Sequence, residues 1–224
     1  MSDIYPHSAH DYFSRLSRVE AQAGAAGDYA IAAALVIRCQ GTELVVVGRN
    51  TLFSSRDPAG HAERNAIEAA RRIGAADPEK LPAVLERGET DGSVLVRDAP
   101  DSRTESILYA TLEPCPMCAV CILNAGIDRV VIAVADPPSG TMLGGRLEAL
   151  PELWPRLASR RSLEVVECQS HDREDRESFL PAELRDNLTA LFTDSRTGLD
   201  EKLEAEGVLE PQAIAAACAA SRAA

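Results

Sequence analysis

Residues 107–134 read ILYATLEPCPMCAVCILNAGIDRVVIAV, and this segment determines the predicted architecture. The apolar run Ile107–Leu112 predicts a buried strand, and Pro116 is tolerated near a helix start because the first-turn N–H groups have no helical partner. Gly126 ends this helix, and the apolar run Val130–Val134 predicts a second buried strand. Strands that alternate with helices in this way predict a layered α/β domain.

The alternation extends toward the N-terminus. Apolar residues spaced three or four apart predict an amphipathic helix over Ser8–Ala23. Two β-rich runs, Ala30–Arg38 and Leu44–Val47, predict a hairpin around a turn that contains glycine. A polar loop then precedes a helix over Gly60–Ile73, which is expected to begin close to His61.

The composition changes in two further segments. Residues 74–105 read as an insertion rich in proline, glycine and charge, with a short candidate strand at Val94–Val96. Another candidate strand is Leu163–Val166, and a helix is predicted at Pro181–Phe192. Residues 164–206 hold 13 acidic and 5 basic side chains, which is about two-thirds of the net charge of −12. We therefore predict one domain over residues 1–168 and an acidic, helical C-terminal extension over residues 169–224.

Composition disfavours several classes of protein. Hydrophobic residues make up 46% of the 224 residues, which is too many for a wholly disordered chain. No apolar run approaches the ~20 residues of a membrane-spanning helix, and the first residues lack the basic start and apolar core of a secretory leader. We therefore expect a cytoplasmic protein with no membrane partner. The excess of 35 acidic over 23 basic residues disfavours a nucleic-acid partner, since phosphates are neutralised by basic side chains.

Two short motifs carry residues suited to metal chemistry, His61-Ala62-Glu63 and Pro114-Cys115-Pro116-Met117-Cys118. One imidazole and two thiolates supply three zinc ligands and leave a fourth tetrahedral position open, which is typical of a catalytic site. Glu63 is two residues from His61, where a carboxylate is placed to take a proton from water and pass it on. Each motif alone has a second interpretation, a redox pair for the cysteines and a chance occurrence for the histidine and glutamate.

Together, in this order, the two motifs match the H-x-E…P-C-x-x-C signature of zinc deaminases. The sequence resembles the cytidine deaminase-like superfamily, in the branch of tRNA adenosine deaminases and guanine deaminases. The resemblance extends over roughly Ala30–Asp136. It is carried by DPAGHAE at residues 57–63, TLEPCPMC at residues 111–118 and IDRVVIA at residues 127–133.

The resemblance implies a three-layer α/β/α sandwich with a mixed five-stranded sheet, a Zn²⁺ cofactor and a homodimer. It implies that Glu63 is the catalytic proton shuttle. The zinc ligands that it implies are His61, Cys115 and Cys118. The substrate-binding residues that it implies are Asn50, the backbone amide of Ala62, and Asp136 at the substrate entrance.

Two further residues are interpreted from their own properties. Phe53 lies in the loop before His61, and a planar heterocycle needs aromatic walls to stack against, so Phe53 is a candidate pocket residue with core packing as the alternative. Cys121 lies one helical turn after Cys118 and is expected to pack in the helix, because a fourth protein ligand would close the metal site.

These expectations favour a zinc-dependent hydrolase that acts on a C–N bond of a cyclic amidine. The predicted reaction is the deamination of a free purine-type base or nucleoside, guanine-like or a related aminated heterocycle, with release of ammonia. The alternatives are a tRNA adenosine deaminase that forms inosine and a non-catalytic zinc scaffold whose acidic C-terminal region recruits a partner. The insertion at residues 74–105 and the acidic C-terminal region depart from the family's pattern. Such segments cap the pocket, so the identity of the substrate stays open.

Overall fold

The computed structural model describes residues 7–74, 94–144, 163–170, 175 and 178–205. Its helices are α1 (Ala9–Ala25), α2 (Ala62–Arg72), α3 (Pro116–Ala125) and α4 (Ala182–Ala205). Its strands are β1 (Ala32–Cys39), β2 (Thr42–Arg49), β3 (Val94–Asp98), β4 (Glu105–Leu112), β5 (Arg129–Val134) and β6 (Glu164–Glu167). No helix among these residues is both long enough and apolar enough to span a bilayer.

Six described strands form one mixed sheet in the order β3-β2-β1-β4-β5-β6. Strand β1 pairs antiparallel with β2 and β4, and β3 pairs antiparallel with β2. Strand β5 pairs parallel with both β4 and β6. The α/β fold and the mixed sheet are confirmed, with one strand more than the five that the resemblance implies. The additional pairing arises because β3, from the predicted insertion, bonds to the outer edge of β2.

Two apolar cores flank the sheet, because successive side chains of a strand point to opposite faces. Leu35 and Ile37 of β1 belong to the core that α2 and α3 cover. Ala34 and Val36 belong to the core that α1 and α4 cover. The predicted three-layer α/β/α arrangement is therefore confirmed.

The acidic C-terminal segment contributes a helix to one of these layers. Helix α4 is longer than the predicted Pro181–Phe192 and contacts both α1 and β5. Its Leu188 is fully buried in the second core. The predicted domain boundary at residue 168 stays a prediction. Residues 75–93 of the predicted insertion lie outside the described residues.

Strand β2 and helix α2 approach each other closely at Gly48. A Cβ atom on Gly48 would collide with the carbonyl oxygen of Ala62 and the backbone nitrogen of Ala66. These atoms belong to helix backbone and cannot move aside as a flexible side chain would. The missing side chain at Gly48 therefore sets the distance between the sheet and the start of α2.

We expect Gly48→Ala to lower the free energy of unfolding by about 1–3 kcal/mol, the usual cost of overpacking a core. Urea denaturation of both proteins measures the difference. Gly198→Ala in α4 is the matched control, because no atom lies within 4 Å of its added Cβ and alanine favours a helix. A Gly48→Ala protein as stable as the parent would contradict the close approach.

Helix α1 buries a carboxyl group beneath its inner face. Glu20 is 1% exposed, and its Oε2 has no hydrogen-bond partner among the described residues. Burial raises the pKa of Glu20 to about 8, although a hydrogen bond with Thr111 opposes the shift. The folded protein therefore binds this proton more tightly than the unfolded chain, in which the pKa is about 4.5.

The pKa of Glu20 is higher in the folded protein than in the unfolded chain. Below about pH 4.5 the burial of Glu20 therefore costs no free energy of unfolding through ionisation, and this cost grows as the pH rises to about 8. We expect Glu20→Gln to raise the melting temperature at pH 8.5 and to change it little at pH 5. Calorimetric melting at both pH values checks this. A difference between the two proteins that stays constant with pH would contradict the assignment.

Candidate active site

The site forms where three strands end at one edge of the sheet. Strands β2 and β4 both run antiparallel to β1, so they point in the same direction, and β5 runs parallel to β4. The residues that follow these strands meet at this edge. Asn50 follows β2, Cys115 follows β4, and Asp136 follows β5, and all three line one cavity of about 230 Å³.

Two helices begin at this cavity. His61 is the N-cap of α2 and Cys115 is the N-cap of α3, both with extended backbone. Pro116 occupies the first turn of α3, where its missing N–H group costs no hydrogen bond. The positive ends of both helix dipoles therefore point toward the site and stabilise thiolate.

The three metal-binding candidates converge. One ligand atom each from His61, Cys115 and Cys118 lies within 4.8 Å of the other two, and this is the metal-suited group found in the described part of the chain. Nδ1 of His61 is 3.6 Å from Sγ of Cys115. Zinc ligands at about 2.0 Å for nitrogen and about 2.3 Å for sulfur, at a tetrahedral angle, stand about 3.5 Å apart. The donor types and this spacing therefore fit zinc.

Proton affinities within this group are strongly perturbed. Hydrogen bonding with Cys118, and secondarily with His61, lowers the pKa of Cys115 to about 4 against the opposing effect of burial. The contact with Cys115 raises the pKa of His61 and, together with burial, raises that of Cys118. One thiol thus loses its proton readily, and a bound divalent cation deprotonates coordinating thiols outright.

Glu63 lies in the first turn of α2, beside this group. The residue is 4% exposed and lines the cavity. Burial is the main cause that raises the pKa of Glu63, and the neighbouring Cys115 adds to it. A buried carboxyl group with a raised pKa, placed beside the proposed metal ligands, is suited to act as a general acid or base.

The predicted substrate contacts fall into two groups. Asn50 and Asp136 are buried and line the cavity. Oδ1 of Asn50 accepts a hydrogen bond from the backbone N–H of Leu52 at 3.0 Å, as an amide oxygen does. Ala62 is fully buried at the start of α2 and Phe53 is half-buried, but neither is among the residues that line the cavity.

Phe53 nevertheless lies next to a residue that lines the cavity. Its ring packs edge-on against Tyr29, with ring centroids 5.6 Å apart, and Tyr29 forms part of the cavity wall. The buried carboxylate of Asp28 accepts hydrogen bonds from the backbone N–H groups of Phe53 and Ser54. Asp28 therefore holds the loop that carries Phe53 against the wall.

The buried carboxylate of Glu113 organises the loop after β5. It accepts hydrogen bonds from the backbone N–H groups of Asp136, Met142 and Leu143, at 2.8 to 3.0 Å. A Cβ atom on Gly140 would collide with this carboxyl group, so the loop lies closely against it. Glu113 directly precedes the Pro114-Cys115 segment and thus connects Asp136 to the metal-binding group.

The cavity residues that were not anticipated from the sequence include Tyr29, Phe192, Arg196 and Asp200. The last three lie four residues apart along α4, a spacing visible in the sequence. That spacing predicts a shared helix face but carries no information about what the face contacts. Only the position of α4 on the sheet brings these residues to the cavity.

Two curated proteins from Deinococcus are similar in sequence to about half of this chain. The tRNA(Ile)-lysidine synthase of Deinococcus deserti is 31% identical over 119 residues, which is 53% of this chain and 18% of that protein. The corresponding enzyme of Deinococcus radiodurans is 33% identical over 122 residues, 54% of this chain and 16% of that protein. The chain thus spans less than a fifth of the length of the curated relatives that it matches.

The fold also occurs in a solved guanine deaminase from Nitrosomonas europaea. That structure has a TM-score of 0.50 and 20% identity, with 84% of this chain and 85% of that chain covered. The sequence profile of the cytidine and deoxycytidylate deaminase zinc-binding region matches residues 7–134. Since this match covers more than half of the chain, the protein belongs to the cytidine and deoxycytidylate deaminase zinc-binding family.

Proposed function

We propose that this deaminase acts on a free purine-type base or nucleoside, guanine-like or a related aminated heterocycle, and releases ammonia. The observation that carries the proposal is the placement of the buried carboxyl of Glu63 beside His61, Cys115 and Cys118 in a cavity of base-like size. These three residues would hold the zinc ion. When bound, zinc supplies Lewis-acid activation of water.

Glu63 carries the protons of the reaction. It takes one proton from water and delivers it to a ring nitrogen as the water oxygen bonds to the ring carbon that bears the amine. It then moves the remaining hydroxyl proton to the amine nitrogen. The C–N bond breaks, ammonia leaves, and the ring keeps a carbonyl group. Its position supports this role, since Glu63 is buried, lines the cavity and lies two residues from His61.

The size and walls of the cavity favour a small planar substrate. A volume of about 230 Å³ lies below the roughly 300–1,000 Å³ of pockets for drug-sized ligands. The aromatic side chains of Tyr29 and Phe192 line it, and aromatic walls suit a planar ring. The amide of Asn50 supplies polar hydrogen-bonding groups. A free base fits this description better than a polynucleotide does.

Deamination of tRNA adenosine is the second candidate. The observation in its favour is that the curated relatives from Deinococcus are named as enzymes of tRNA(Ile). Against it stands the net charge of −12, because RNA binding depends on basic side chains that neutralise phosphates. The two candidates are separated by offering purified protein both classes of substrate.

The proposed metal ligands are tested by metal analysis. We expect His61→Ala and Cys118→Ala to lose most of the bound zinc, because each removes one of three protein ligands. Cys121→Ala is the matched control, since Cys121 lies one turn further along the same helix and outside the metal-suited group. Zinc content by mass spectrometry checks this. Full zinc content in Cys118→Ala would contradict the assignment.

The proposed role of Glu63 is tested by its amide variant. We expect Glu63→Gln to keep its zinc and to release ammonia about 10² to 10⁴ times more slowly, because the amide does not shuttle protons. Ammonia is measured across a panel of purine bases, nucleosides and other aminated heterocycles. The matched control is Glu68→Gln in the same helix, whose carboxylate pairs with Arg71 and Arg72 at the surface.

The outcomes separate the candidates. Ammonia from a purine with the parent protein, and not with Glu63→Gln, supports the proposal. Inosine in tRNA without turnover of any small amine would favour the second candidate. Zinc-loaded protein that deaminates neither class would favour a non-catalytic zinc scaffold. Sedimentation of the same preparations tests the predicted homodimer.

A further inference from the structure

Helix α4 presents one face to the cavity. Phe192, Arg196 and Asp200 are spaced by four residues, so they occupy successive turns on the same side of the helix. All three line the cavity that also contains His61 and Glu63. A helix from the acidic C-terminal segment therefore forms part of the substrate-binding wall.

Contacts of α4 residues adjacent to this face hold the helix in place. Leu188 and Leu199 are buried, at 1% and 8% exposure. Oγ of Ser195 accepts a hydrogen bond from the backbone N–H of Ala30 at 2.8 Å, and its hydroxyl donates to the carbonyl of Phe192. Ala30 directly follows Tyr29, so this hydrogen bond connects α4 to the segment before β1 that contributes Tyr29 to the cavity wall.

Arg196 has hydrogen-bonding capacity that the described residues do not use. Its Nε is 3.7 Å from Oδ2 of Asp200, which is an ion pair but too long for a hydrogen bond. The described residues contain no other ion pair of Arg196. A guanidinium carries five N–H donors in a planar fork, and these suit two acceptors side by side.

The charges of α4 act on the cavity wall. Burial raises the pKa of Tyr29, the negative charge of Asp200 raises it further, and the positive charge of Arg196 lowers it. Both charged residues are therefore within electrostatic reach of Tyr29 in the cavity wall. Asp200 also limits where the guanidinium of Arg196 points.

We propose that Arg196 is the specificity-determining residue of this site, whose guanidinium donates to adjacent carbonyl and ring-nitrogen acceptors on the substrate. The inference rests on the proposed function and narrows it to 2-amino-6-oxopurines. In such a ring O6 and N7 both accept, and arginine commonly binds this pair in a bidentate manner. A purine with a 6-amino group would instead place the N–H donors of that amine against the N–H donors of Arg196. Asp200 is a positioning residue that orients Arg196.

The expected discrimination is moderate because the site is partly solvated. The side chains of Arg196 and Asp200 are 49% and 47% exposed. A good bidentate contact favours the matching base over a mismatched one by roughly 5- to 150-fold. Because Arg196 is half exposed, its discrimination is expected near the lower end of that range. We expect guanine to be preferred over 2,6-diaminopurine by about tenfold or more.

The test compares guanine, 2-aminopurine and 2,6-diaminopurine, which share the 2-amino group and differ at C6. The readouts are kcat/KM for deamination at C2, with products separated by chromatography, and the dissociation constant of each base for zinc-loaded Glu63→Gln protein. We expect Arg196→Met to remove the preference for guanine in both readouts and Arg196→Glu to shift it toward 2,6-diaminopurine. Asp200→Asn should weaken the preference in part.

Matched controls separate this role from a structural one. Arg72→Met removes an exposed arginine of α2 that does not line the cavity, and Asp194→Asn removes an exposed carboxylate of α4 that also does not. Both should leave the guanine preference unchanged. All variants should keep the parent melting temperature, because the pair of Arg196 and Asp200 is a solvated i,i+4 contact of little stabilising value.

Failure of the inference differs from failure of the proposed function. If C2 deamination occurs and Arg196→Met keeps the preference for guanine, the inference is overturned and the deaminase remains. If no purine is deaminated, the proposed function fails. In that case the inference is judged from the dissociation constants with zinc-loaded Glu63→Gln protein. If that protein binds guanine and 2,6-diaminopurine equally, or binds neither, the inference is overturned as well.

Discussion

The contact between the backbone of Gly48 and the first turn of α2 is the constraint on which the site depends. Because no side chain separates them, α2 lies directly on β2, and its N-terminus reaches the edge where β2, β4 and β5 end. His61 and Glu63 are thereby brought to within reach of the Cys115–Cys118 turn at the start of α3. Two helix N-termini and three strand ends converge there and contribute His61, Cys115, Asn50 and Asp136.

The carboxylate of Glu113 extends this arrangement beyond the metal-binding group. By accepting three backbone N–H groups from the loop after β5, it fixes Asp136 relative to Cys115 without contributing a ligand itself. A buried carboxylate is costly unless it is well hydrogen-bonded, and here the loop supplies the donors. The TLEPC segment therefore combines a loop clamp at Glu113 with a metal-binding position at Cys115.

The acidic C-terminal segment contributes to the active-site wall as well as to the net charge. Leu188 anchors α4 in the core, Ser195 ties it to the start of β1, and Arg196 projects toward the cavity. The shared family pattern ends before this helix, at residue 134. The two metal-binding motifs lie within the matched region and α4 lies beyond it, so separate segments of the chain form one cavity.

Local patterns in the sequence determined the elements and the candidate donor set. Apolar runs located the six described strands, Pro116 and Gly126 bounded α3, and the two motifs supplied His61, Glu63, Cys115 and Cys118 as candidates. These features depend on neighbours a few residues away. Tertiary structure alone decided that Tyr29 and Arg196 share a cavity, that Phe53 packs behind Tyr29, and that Glu20 is buried. Such contacts join residues far apart in the chain, and they arise only when α1 and α4 pack on the same face of the sheet.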